Sequence, residues 1–143
     1  MTTLVRAIVG AVVLAACPEV ASQALPQLSQ RPVFHDGALS VSLIELISRP
    51  NDFSGKRVIV KGVANIEFEG TALYLHSEDR VYTNYPNALW LSLSRDSPLY
   101  KPSLTGKYVV VVGEFNAGWR GHNGVYSGTI TNIQELTRLH QRR

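Results

Sequence analysis

The chain has 143 residues, 45% of them hydrophobic, and a formal net charge of +3 at neutral pH. This length suits one domain with a hydrophobic core and is too short for two ordinary domains. Arg6 is the only charged residue among the first 16, so the rest of the chain carries about +2. Dedicated nucleic-acid binders usually have a clustered basic face, so we do not expect nucleic acid to bind tightly.

The beginning of the chain has the pattern of a secretory signal. The apolar run 7–16 is shorter than the roughly 20 residues that a membrane-spanning helix needs, so residues 1–16 are predicted to be a signal peptide. Leu14-Ala15-Ala16-Cys17 resembles the bacterial lipobox, in which the cysteine is lipidated and becomes the new N-terminus. The alternative is ordinary signal-peptidase cleavage after Ala24, which would make the signal 1–24.

The two processing routes predict different locations. Lipidation of Cys17 would anchor the protein at the cell envelope. The resemblance to bacterial lipoproteins, in which Asp after the cysteine favours the inner membrane, implies that Pro18 in this position leads to the periplasmic side of the outer membrane. Cleavage after Ala24 would give a soluble periplasmic or secreted protein. Cys17 is the only cysteine, which excludes an intramolecular disulfide and a cysteine-based metal site.

The remaining chain divides into three parts. Residues 17–40, with their prolines and glutamines and no apolar periodicity, are predicted to be a flexible tether. The folded domain is predicted over 41–136, and the basic residues 137–143 are predicted to be a frayed tail. The domain begins with a short helix, which a capping box of Ser42 and Glu45 starts and Pro50 ends, and whose apolar residues should be largely buried.

Hydrophobic alternation then predicts five strands. From Arg57 to Glu69 the even positions are apolar, which indicates a long half-buried strand that bends at Gly62 and has Phe68 facing inward. Four further strands are predicted over 72–76, 88–94, 107–115 and 125–133, with a glycine-rich loop at 116–124. This order is typical of a mainly β protein, a five-stranded OB-fold-like barrel preceded by one short α-helix and the N-terminal signal segment.

Several segments resemble those of small exported bacterial OB-fold proteins and lipoproteins of unknown function. These are the strand entries Gly55–Gly62 and Gly106–Gly113, the strand Asn87–Leu91 and the hairpin Gly121–Ile130. The likeness covers about residues 41–134. It implies the fold and no particular activity, since OB barrels bind nucleic acids, sugars and proteins.

Two surfaces are candidates for ligand binding. The first is the outer face of the second and third strands with Tyr74, His76 and Trp90, whose rings suit stacking of a base or a sugar. The alternative is that the leading helix covers these rings.

The second candidate is the last hairpin loop. Trp119 is a potential stacking anchor, Arg120 suits an anion, and His122 lies among three glycines that allow unusual backbone angles. The alternative is an exposed hairpin in which Trp119 folds onto the barrel and His122 bonds to the backbone.

The sequence offers little support for catalysis, a cofactor or a metal. The four histidines are scattered, no G-x-S-x-G elbow is present, and Glu67 and Glu69 are interpreted as part of a solvated face. We therefore predict an exported, membrane-anchored OB-fold binding module without catalysis, whose partners are the membrane, through lipid on Cys17, and an envelope protein or small ligand. The alternative is an extracytoplasmic nucleic-acid or glycan binder that uses the Tyr74 and Trp90 face.

Overall fold

The computed structural model describes residues 37–140. Its helices and strands are β1 (Leu39–Ser40), α1 (Leu43–Ser48), α2 (Pro50–Phe53), β2 (Arg57–Asn65), β3 (Ala72–Tyr74), α3 (Ser77–Val81), β4 (Ala88–Leu91), β5 (Tyr108–Asn116) and β6 (Thr129–Arg138). The predicted signal peptide, Cys17 and nearly all of the predicted tether lie outside the described residues. None of the helices within 37–140 is long and apolar enough to span a bilayer.

Strands β2 to β6 form a closed five-stranded barrel. Their order around the barrel is β2-β3-β4-β6-β5, and a second pairing between β2 and β5 closes it. The β4–β6 pair is parallel and the other four pairs are antiparallel. The length of β2 makes the closure possible, because residues 57–63 pair with β5 and residues 63–65 pair with β3. The mainly β, five-stranded barrel predicted from the sequence is confirmed.

The barrel interior follows the predicted alternation in β2. Val58, Val60 and Ala64 are fully buried, and they pack with leucines of β3 and β4 and valines of β5. Gly62 lies where α1 approaches the sheet, since a Cβ atom there would be 2.7 Å from Leu43 Cδ1 and 2.8 Å from Leu73 Cγ. The absence of a side chain at this bend therefore lets α1 pack against the barrel wall.

The leading helix has the predicted limits but is more exposed than the sequence predicts. The capping box is confirmed: the Glu45 amide donates to Ser42 Oγ at 3.2 Å, and the Ser42 amide donates to the Glu45 carboxylate at 3.1 Å. Leu43 and Leu46 are buried, but Ile44 is 60% exposed, so the expectation of a largely buried helix is wrong on that side. Pro50 ends α1 and also begins α2, because its fixed φ suits a first helical position.

The first barrel strand ends earlier than predicted. β2 stops at Asn65, whose side-chain amide donates to the Gly70 carbonyl at 2.8 Å and so fixes a turn. Phe68 falls in that turn and is 64% exposed, with the Arg95 guanidinium 3.8 Å from its ring centroid. The prediction that Phe68 faces the core is therefore wrong.

The strands at the two ends of the described chain also differ from the prediction. Leu39 and Ser40 pair in parallel with Val58 and Ile59, so two residues of the predicted tether form a strand of the sheet. The last strand begins at Thr129 rather than near Val125 and continues to Arg138, within the predicted basic tail. The reason is that residues 117–128 fold as a compact loop, which delays the return of the chain to the sheet.

Candidate ligand-binding site

The outer face of β3 and β4 carries large rings between small residues. Tyr74 lies opposite Val63 on β2 and opposite Ala88 on β4, and Trp90 lies opposite Ala72. Neighbours that face each other across a sheet project to the same side, so these side chains form one outer patch. The two alanines leave space beside the rings for a further side chain.

Tyr126, from the loop between β5 and β6, fills that space. It is 2% exposed, and its ring centroid lies 5.3 Å from that of Trp90 and 5.2 Å from that of Tyr85. The Tyr126 and Tyr74 hydroxyls are close enough to influence each other electrostatically. Burial raises the pKa of Tyr126, and the neighbouring Tyr74 and Tyr85 raise it further, so the phenol stays protonated.

The residue that covers the predicted aromatic face is therefore a loop tyrosine and not the leading helix. Tyr74 is only 3% exposed beneath Tyr126, so this arrangement leaves no room for a ligand ring on Tyr74. The alternative in which α1 covers the rings is wrong, since Leu43 of α1 packs at Gly62 and Leu73 instead. Trp90 remains half-buried, with part of its side chain accessible.

Hydrogen bonds hold the loop between β5 and β6 in a fixed shape. The Trp119 amide donates to Asn116 Oδ1 at 2.9 Å, and the Thr129 hydroxyl donates to the Trp119 carbonyl at 2.7 Å. Across the loop, Arg120 Nε donates to the Tyr126 carbonyl at 2.8 Å, and the Tyr126 amide donates to the Arg120 carbonyl at 3.2 Å. The loop is thereby tied to itself and to β6.

The two surfaces predicted from the sequence meet at Trp90. The His122 ring lies over Trp90 with a centroid distance of 6.4 Å and an interplanar angle of 28°. The Trp119 backbone is close by, because Thr129 is the register partner of Trp90 and its hydroxyl donates to the Trp119 carbonyl. We define the aromatic loop surface as Trp90, Trp119, Arg120 and His122.

The exposure of these four residues differs from that of the tyrosines beneath them. Trp119 is 46% exposed, and Arg120 and His122 are exposed. Among the described residues, the two terminal nitrogens of Arg120 have no hydrogen-bond or ion-pair partner. The surface thus combines a ring available for stacking with a guanidinium whose position Tyr126 fixes.

His76 does not belong to this surface. It is an exposed residue that precedes α3, and its amide donates to Asp79 Oδ2 at 3.2 Å. Asp79 Oδ1 also accepts from Asn84 Nδ2 and Asn87 Nδ2, both at 2.9 Å. Asp79 therefore organises the connection between β3 and β4, and the described contacts of His76 are structural.

Sequence reasoning missed Tyr126 and Tyr85, which decide what a ligand can reach. The signal for them was indirect: Ala72 and Ala88 leave a gap on a strand face that otherwise carries Tyr74 and Trp90. Because protein interiors are closely packed, a side chain from elsewhere in the chain must fill a gap of this kind. The sequence does not show which ring fills it.

The other candidates for chemistry are dispersed. Glu67 and Glu69 are both exposed in the turn after β2, and residues 37–140 hold no group of three or more His, Cys, Asp or Glu placed to share a metal ion. Comparisons with protein-family models, with curated proteins and with solved structures find no match for this chain. The arrangement on the aromatic loop surface suits ring stacking and hydrogen-bond donation, which are means of binding.

Proposed function

We propose that this chain is an exported OB-fold binding module without catalysis, whose ligand stacks on the aromatic loop surface. One observation carries the proposal: Trp119 is 46% exposed while hydrogen bonds fix the backbone on both sides of its Cα. Tryptophan is enriched at interfaces, because its indole combines a large apolar area with an N–H donor. Held on a rigid loop, it offers a ligand a large contact area at a small cost in conformational entropy.

The strand order supports the OB-fold part of the proposal. OB folds are five-stranded Greek-key barrels that bind ligands on the face of the second and third strands and with the loops between strands one and two and strands four and five. Here β5 and β6 are the fourth and fifth barrel strands, so their loop corresponds to one of those binding loops. The resemblance of residues 41–134 to small exported bacterial OB-fold proteins belongs to the same proposal.

We propose a ligand that stacks on the aromatic loop surface and does not depend on attraction to a strongly positive protein surface. Residues 37–140 contain ten Lys and Arg and nine Asp and Glu, so the barrel itself is almost neutral. A polyanion therefore gains little from counterion release at physiological salt, and an oligosaccharide is favoured over an oligonucleotide. Tyr126 further disfavours the alternative of a broad Tyr74 and Trp90 face, because it occupies the centre of that face.

The test is a titration of the full chain, followed by tryptophan fluorescence, with two probes of different chemistry. One probe is chitotetraose, a neutral oligosaccharide, and the other is oligothymidylate, an anionic single strand. We expect saturable binding of the sugar, and we expect the variant Trp119→Ala to weaken it about tenfold or more, since stacking contributes about 1–3 kcal/mol per ring. Binding of oligothymidylate should be weak and should disappear at physiological salt.

Tyr82→Ala is the matched control, because Tyr82 is 80% exposed and lies in the connection between β3 and β4. It should leave binding unchanged. Tight, salt-resistant binding of oligothymidylate, abolished by a folded Trp90→Ala variant, would instead favour the nucleic-acid alternative. If neither probe binds the wild type, or if both variants lose binding equally, the aromatic loop surface is not the site.

We further propose that export ends in lipidation of Cys17, as the tetrapeptide before the only cysteine and the apolar run preceding it indicate. Cells fed a fatty-acid probe should label the wild type and not Cys17→Ser. An unlabelled wild type whose mature N-terminus is Leu25 would contradict lipidation and support cleavage after Ala24.

A further inference from the structure

The end of the β5–β6 ribbon forms a cleft that has no part in the aromatic loop surface. Its volume is about 310 Å³, and it is lined by Gly106, Lys107, Tyr108, Arg138, Leu139 and His140. No Asp or Glu of the described residues lines it. The barrel is almost neutral as a whole, so the cleft is a local concentration of basic side chains.

Strand register explains how the basic residues come together. Arg138 is opposite Val109, and the Leu139 amide donates to the Tyr108 carbonyl at 2.8 Å, which extends the pairing by one residue. Lys107 precedes β5 and His140 follows β6, just beyond the paired residues. The ends of the two strands thereby bring Lys107, Arg138 and His140 to one cleft.

A further arginine approaches the cleft from α3. The Arg80 Nη2 atom lies 3.8 Å from the position that a Cβ atom on Gly106 would occupy, and Gly106 lines the cleft. Arg80 Nε is buried and has no hydrogen-bond partner. Within residues 37–140, no salt bridge involves Arg80, Lys107 or Arg138. Lys107 and Arg138 line the cleft and Arg80 reaches its Gly106 wall, so an anion bound in the cleft would reduce the repulsion among these like charges.

We propose that this cleft binds a single phosphate group, held by Lys107 and Arg138 and supported by Arg80. Guanidinium and ammonium groups are the side chains that bind phosphate oxygens, arginine through paired hydrogen bonds and lysine as a point charge. Two cationic side chains line the cleft, which lies at one end of a barrel without a basic stripe, so the charge present suits a single phosphate and not a polyanion. The phosphate belongs either to a free ion or to the headgroup of a phospholipid.

The experiment measures the thermal unfolding midpoint of the full chain in phosphate and in chloride at equal ionic strength. Phosphate also stabilises proteins non-specifically through exclusion from their surface, so the informative quantity is the difference between variants. In the wild type we expect a saturable rise of about 4 °C or more once phosphate reaches roughly ten times its dissociation constant. Lys107→Gln with Arg138→Gln should lose this saturable part and keep only the gradual rise.

The matched control is Lys61→Gln with Lys101→Gln, which removes the same charge from exposed residues outside the cleft and should respond like the wild type. A parallel series with glycerol 3-phosphate distinguishes the two sources. Saturation at lower concentration than with inorganic phosphate indicates a lipid headgroup, and the reverse order indicates the free ion. The proposal is overturned if the wild type shows no saturable rise, or if the cleft variant and the control variant respond alike.

Discussion

Gly121 lies directly against the Trp90 side chain. A Cβ atom on Gly121 would be 2.5 Å from Trp90 Cβ and 2.6 Å from Trp90 Cγ, closer than real side chains approach. Gly121 also has φ 67° and ψ −160°, a backbone conformation that is essentially restricted to glycine. The loop can therefore reach Trp90 and place His122 over it only because this position has no side chain.

Gly121→Ala should destabilise the domain by about 3 kcal/mol or more, since it adds a steric clash to a strained backbone. Urea denaturation measures the free energy of unfolding. The matched control is Gly124→Ala in the same loop, where φ is also positive but no atom lies within 4 Å of the added Cβ. The control should cost about 1–2 kcal/mol, the backbone term alone. Equal losses in the two variants would contradict the packing of Gly121 on Trp90.

Replacing Tyr126 separates the packing of its ring from the contribution of its hydroxyl. Tyr126→Ala should cost about 3–5 kcal/mol, because it removes a buried ring that contacts Trp90 and Tyr85. Tyr126→Phe keeps the ring and loses only the hydroxyl near Tyr74, so it should cost no more than about 1 kcal/mol. Unfolding in urea checks both values. A tolerated Tyr126→Ala would mean that the outer face of β3 and β4 is open to ligands after all.

The same tyrosines make stability sensitive to alkaline pH. Burial raises the pKa of Tyr126 and of Tyr74 above the usual value near 10, so the folded state keeps protons that the unfolded chain loses. Their contribution to stability is therefore complete below about pH 10 and is lost as pH rises toward the folded pKa values. Denaturation at a series of pH values should show this fall, and Tyr126→Phe should make it shallower. An unchanged slope would show that Tyr126 does not take part.

Asp79 should make stability fall in acid. Burial acts to raise its pKa, but hydrogen bonds from Asn87, Asn84 and the His76 amide outweigh burial and hold the pKa below its usual value. The stability that this carboxylate provides is present above the pKa of an unfolded aspartate and is lost as pH falls through the lower folded value. Asp79→Asn should cost about 1–2 kcal/mol at neutral pH and remove part of the acid dependence.

Asp96→Asn is the control for Asp79, since Asp96 is exposed and its carboxylate has no hydrogen bond among the described residues. It should leave both the neutral stability and the acid slope unchanged. The hydrogen-bonding role of Asp79 would be wrong if the two variants gave the same acid profile.

Val111 tests the barrel interior. It is fully buried and pairs with Val60 on β2 and Leu136 on β6, so Val111→Ala should cost about 2 kcal/mol. Val110, the next residue, is only half-buried on the other face, and Val110→Ala should cost less than about 1 kcal/mol. A denaturant series on both variants measures the difference, and equal tolerance would contradict the inward orientation of Val111.

The interior of the barrel was predictable because strand alternation is a local signal. The even positions from Val58 to Ile66 are buried as expected, and the capping box of α1 has the expected bonds. Phe68 continues the same alternation in sequence, yet it is exposed. The hydrogen bond from the Asn65 side chain to the Gly70 carbonyl fixes a turn there. Hydrophobic periodicity does not reveal a hydrogen bond of this kind.

The candidate site was predictable only in part, because its assembly depends on contacts between distant segments. Trp90 and His122 were singled out separately, and their stacking depends on a loop that leaves β5 at Asn116 and returns to the sheet at Thr129. Val125 and Tyr126 read as the start of a strand by composition. In the fold, packing of Tyr126 on Trp90 overrides that strand propensity.

The pairing of β1 has a consequence for behaviour at high concentration. β3 pairs with β2 only from Val63 onward, and the two residues of β1 cover the edge of β2 at Val58 and Ile59. Uncovered strand edges recruit strands of other molecules and so seed aggregation. Leu39 and Ser40 thus protect the edge of β2 that β3 does not reach. A chain shortened to begin at Val41 would expose this edge to other molecules and should aggregate more readily.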